Sequence, residues 1–68
     1  MVGDLYNVIY RDGSMCFQAP AMEVTDGTYV NMVTERKLTP LSTEPMFGYQ
    51  ALFHEQQAAS LRRKWGIG

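Results

Sequence analysis

The side chains able to do chemistry are few, and they stand apart from one another. His54 is the only histidine and Cys16 the only thiol of the 68-residue chain. A catalytic imidazole needs a nucleophile and an orienting group within hydrogen-bond reach. Ser14, Ser42 and Ser60 are the available serine hydroxyls, and no nucleophile-elbow pattern surrounds any of them. His54 is therefore expected as a part-buried histidine on the apolar stripe of a helix. Cys16 would need a base or a helix N-terminus beside it to act as a thiolate. None is near it in sequence, so it is expected to pack as a small hydrophobe. One cysteine and one histidine make no zinc ligand set.

The carboxylates Asp4, Asp12, Glu23, Asp26, Glu35, Glu44 and Glu55 are scattered. Asp12 and Asp26 each precede a glycine and belong to turns, while Glu44 suits the first turn of a helix. No pair is spaced for glycosidase or metal chemistry, and the single glycines form no phosphate-binding loop. The expectation is a protein that is not an enzyme and carries no cofactor and no metal.

Charge is more informative. Residues 1–35 carry one cation and five acids, net −4, and residues 36–68 carry five cations and two acids, net +3. Arg36 and Lys37 close the first half, and Arg62, Arg63 and Lys64 end the second. If these groups met in space, five cations could engage phosphates, so nucleic acid is the alternative partner. A short basic run at a helix C-terminus also stabilises the helix dipole without any partner. Aromatic and methionine side chains exceed what one small layer needs. These residue types are enriched at protein interfaces.

A chain of this size with one cysteine forms one small domain, residues 1–68, with no disulfide framework. Below roughly 70–80 residues a single core seldom contributes more than about 3–5 kcal/mol, so association with a partner or with itself is expected. The hydrophobic share of 46% fits a globular chain. The stretch from Ser42 to Phe53 is broken by Glu44 and Pro45, so no membrane span is expected. The opening Met-Val-Gly-Asp lacks the basic flank and apolar core of a signal peptide. A cytoplasmic, reducing location is the resulting expectation.

The elements that must position these residues read as α+β. Two Asp-Gly dipeptides, at 12–13 and 26–27, predict hairpins. A loop at Asp12-Gly13 sets Tyr10 opposite Met15 and Val8 opposite Phe17. Alternation then gathers Tyr6, Val8, Tyr10, Met15, Phe17 and Ala19 on one apolar face. The second loop sets Val24 opposite Tyr29. Residues 1–37 thus form an antiparallel meander of about three strands, bent at Pro20. Residues 38–48, with two prolines and a glycine, read as a connector, unless the helix already starts at about Pro45 with Ser42 or Thr43 as its N-cap. A C-terminal helix over about 49–65 follows, stopped at Gly66, with Ile67 folding back towards Leu61.

At 100° per residue, Phe47, Ala51, His54, Ala58, Leu61 and Trp65 lie within about 40° of one line. That stripe is expected to cover the apolar sheet face. Tyr49, Leu52 and Phe53 then remain off the stripe. A two-layer unit buries only one side of its helix. The expected function is therefore a protein–protein interaction module, an adaptor, an inhibitor or a small assembly subunit. It would bind through Tyr49, Leu52, Phe53 and Gln56, with a homodimer as one form of that contact.

Overall fold

The computed structural model describes residues 1–67. Five antiparallel strands, β1 (Leu5–Asp12), β2 (Met15–Thr25), β3 (Thr28–Asn31), β4 (Lys37–Leu38) and β5 (Pro40–Pro45), precede one helix, α1 (Gly48–Lys64). The strand order is β4-β3-β2-β1-β5. The α+β class and the C-terminal helix agree with the sequence. The sheet has two more strands than the meander expected from it.

β5 and Leu38 of β4 come from the stretch expected to be a connector, while Lys37 of β4 is the last residue of the expected meander. β5 pairs with β1 from Tyr6 opposite Pro45 to Tyr10 opposite Pro40, with an irregularity between Ile9 and Tyr10. Its prolines read as breakers, but an edge strand can carry proline wherever its N–H groups face solvent. Ser42 and Thr43 are therefore strand residues and cap nothing. Phe47 occupies the N-cap position and offers no side-chain hydrogen bond.

The first hairpin is shifted by two residues from the expected register. Asp12 lies opposite Met15 and Tyr10 opposite Phe17, so Gly13-Ser14 is the loop. Gly13 has φ 66° while Ser14 has no positive φ, the pattern of a type II′ turn. A two-residue shift preserves which side chains share a face, so the alternation survives although each partner changes. The second hairpin contains a bulge between Glu23 and Thr25. Glu23, rather than Val24, therefore sits opposite Tyr29.

Connectivity forces the sheet to coil. β4 and β5 are at opposite ends of the strand order, yet Thr39 alone joins them. Two residues reach about 7 Å at most, whereas the edges of a flat five-stranded sheet would lie about 19 Å apart. The sheet must curl until those edges approach. The rings of Tyr6 on β1 and Tyr29 on β3 accordingly meet edge to face at 5.4 Å, across the intervening β2. Val8 and Ala21 are fully buried within this curl, and Ala19 nearly so.

That closure corrects the expected packing. The helix does not cover the face bearing Tyr6, Val8, Tyr10 and Phe17, because the curl folds that face onto itself. It covers the opposite face, where Leu5 is paired with Met22 and Met22 with Val30. Leu5, Met22, Val24, Val30, Met32, Met46, Ala58 and Leu61 form this second core, with Ala51 and Ile67 packed at its margin. The tip of the β1–β2 hairpin extends past the helix, leaving residues 11–18 exposed.

Among the described residues, no buried side-chain nitrogen or oxygen lacks a hydrogen-bond partner. Asn31 accepts the backbone N–H groups of Val33 at 2.7 Å and Thr34 at 3.2 Å, folding the turn into β4. Glu23 accepts from the Gly27 N–H at 3.0 Å and pairs with the Met1 amine at 2.8 Å. These contacts hold its carboxyl below the usual carboxylate range, with the Gly27 bond the largest cause. The same carboxylate, followed by the Tyr6 hydroxyl, raises the Met1 amine to about 11.

Candidate interaction surface

The helix is anchored unevenly. Its C-terminal half contributes Ala58 and Leu61 to the core. The Gln57 amide donates to the Met32 carbonyl. Arg62 donates from Nε to the Gly3 carbonyl at 3.0 Å and from Nη1 to Glu55 at 2.6 Å. That second bond is the main cause of a lowered Glu55 pKa. Lys64 reaches Glu35 at 2.6 Å. Beyond the last turn, the Gly66 N–H donates to Arg63 at 3.3 Å and the Ile67 N–H to Arg62 at 2.8 Å. With Gly66 at φ 71° this is a Schellman cap. Ile67 folds back onto the core, as the sequence suggests.

The N-terminal half has fewer ties. Its first turn contains no acidic residue and no side-chain cap. Asn7 and Gln50 exchange amide hydrogen bonds at 2.8 and 3.0 Å, and this pair pins the turn to β1. Ala51 and His54 face inward and are half-buried. His54 meets Phe53 edge to face at 5.1 Å.

All four residues singled out on this half face solvent. Tyr49 is 91% exposed, Phe53 82% and Leu52 70%, and Gln56 is exposed beside them. On a helix they span an arc of about 100°, opposite the buried Ala58 and Leu61. Phe47, which the periodicity assigns to the buried stripe, is 72% exposed and extends the same surface. It lies outside the helix as its N-cap, so helical periodicity does not apply to it. Trp65, at the other end of the stripe, is also only partly covered.

The five basic residues do not form one free patch. The Lys64–Glu35 pair brings the helix end to the turn before Arg36 and Lys37, but Arg62 and Lys64 are both engaged by carboxylates. Arg36 and Lys37 instead join Arg11 and Asp12 around a cleft of about 340 Å³ beside Tyr10. Sequence spacing does not reveal Arg11 as their neighbour, because the curl brings β1 and β4 together. Cys16 is exposed on the projecting hairpin, contrary to the packing expected of it. Among the described residues no cluster of three or more His, Cys, Asp or Glu side chains could hold a metal ion, and no helix is long and apolar enough to cross a membrane.

The fold and surface define a small domain with a curled five-stranded sheet, one covering helix and an aromatic outer helix face. Comparison with protein-family models, curated proteins and solved structures returns no match.

Proposed function

We propose that this chain is a non-enzymatic protein–protein interaction module that binds through Tyr49, Leu52, Phe53 and Gln56. The carrying observation is the outward presentation of Tyr49, Leu52 and Phe53 on one short helical arc. Large apolar side chains gathered on a surface, rather than scattered singly, mark binding sites. Their spacing of three and four residues suits a helix that lays one face into a partner. A single exposed thiol without a disulfide suits a reducing compartment such as the cytoplasm.

Nucleic acid remains the alternative, carried by Arg36 and Lys37 with Arg11 around their cleft. The ion pairs at Arg62 and Lys64 weigh against it, since they reduce the charge available to phosphates. Affinity capture from cell extract separates the two. For the apolar surface, bound species should survive raised salt and fall together in Tyr49→Ala and Phe53→Ala. Binding that disappears with salt and ignores both substitutions would transfer the function to the cations.

A further inference from the structure

We propose that the occupant of this face is a second copy of the chain, docked helix against helix and antiparallel about a two-fold axis. This rests on assigning binding to the outer face of α1. That face is graded in size along its length. Tyr49, Leu52 and Phe53 fill its N-terminal half, Gln56 stands at the middle, and Ala59 and Ser60 follow before Arg63. Positions 49, 52, 56, 59 and 63 alternate steps of three and four, the interval of a helix–helix seam.

A two-fold operation reverses one helix against the other. Each bulky half then meets a shallow half, and the same contact forms twice. A parallel pair would set Tyr49 against Tyr49 and Leu52 against Leu52 and leave a gap between the two Ala59–Ser60 halves, which close packing disfavours.

Charge selects the same orientation. A parallel pair would bring two Arg62-Arg63-Lys64 triplets side by side, and the antiparallel pair separates them. Arg63 is exposed and, among the described residues, forms no ion pair. The reversal carries its guanidinium to the open ring of the partner's Tyr49, where a cation over an aromatic face is favourable. The seam is about 21 Å long. It buries less than the roughly 800 Å² per partner of a standard stable interface, so a micromolar dimer is expected.

The test is the mass of the full chain by light scattering from micromolar to millimolar concentration. Mass should rise from 7.7 kDa towards twice that value. Leu52→Glu in the bulky half and Ser60→Trp in the shallow half should each weaken dimerisation at least tenfold, with an unchanged circular dichroism spectrum on dilution. Ser60→Trp is the selective variant, because a parallel pair would accommodate the added bulk in its gap. A dimer indifferent to both variants overturns the proposal. So does a chain that stays monomeric at millimolar concentration. In that case anilinonaphthalene sulfonate fluorescence distinguishes the two levels. Dye binding that Leu52→Glu abolishes keeps the face as a site for another protein, whereas no dye binding by the wild type removes both assignments.

Discussion

The two halves of α1 use their apolar side chains in opposite ways. Residues 58–64 place Ala58 and Leu61 in the core, join Arg62 and Lys64 to other segments and end in a glycine cap. Residues 48–54 begin without a side-chain cap and turn Tyr49, Leu52 and Phe53 to solvent. The fold needs the first group to hold the helix on the sheet. It makes no comparable use of the second. Apolar surface that stability does not require is surface available for binding.

Breaking the anchored half should have the largest effect on stability. Leu61→Ala removes a buried side chain and leaves a cavity, an expected loss of about 2–5 kcal/mol in urea unfolding. Gly66→Ala puts a Cβ on a left-handed residue and strains the cap, an expected loss of about 1 kcal/mol by the same measurement. Phe53→Ala and Leu52→Ala, measured at concentrations where the chain is monomeric, should each change stability by less than about 0.5 kcal/mol. Equal losses at Leu61 and Leu52 would remove the contrast between the halves.

Acid should sharpen the contrast more gently. Glu55 and Glu23 both have carboxyls held below their ordinary pKa of 4.5. Their contributions are therefore complete above that value and are lost as pH falls through the lower folded-state pKa. Glu55 is half-exposed, so solvent screening limits its pair with Arg62 to roughly 0–1 kcal/mol. Thermal melts from neutral pH to below 4 should show a loss of stability that Glu55→Gln and Glu23→Gln each make shallower. An acid dependence unchanged by both substitutions would mean that neither carboxylate is engaged as described.

Local patterns were legible in the sequence where they depend on short range. Alternation sorted the β1–β2 hairpin into two faces, and the tolerance of that sorting to a two-residue shift kept it valid when Gly13-Ser14 replaced Asp12-Gly13 as the loop. Helical spacing separated Tyr49, Leu52 and Phe53 from Ala58 and Leu61. What escaped depends on long-range closure. Nothing near Pro40 or Pro45 indicates that β1 lies alongside to pair with β5. The apolar face of Tyr6, Val8 and Tyr10 looked like the seat of the helix, because curling is a property of the whole sheet. The proximity of Arg11 to Arg36 and Lys37 follows from the same closure. Phe47 was misplaced by extending a helical period one residue beyond the helix.

Amide chemical shifts recorded across a concentration series test the binding role of the helix face most directly, because they locate self-association residue by residue. Changes from micromolar to millimolar concentration should concentrate at residues 47–63, on the outer face of α1, and spare the 11–18 hairpin tip and the Arg36–Lys37 cleft. Changes centred on the hairpin, the cleft or the free edge of β5, with the helix face unmoved, would contradict it.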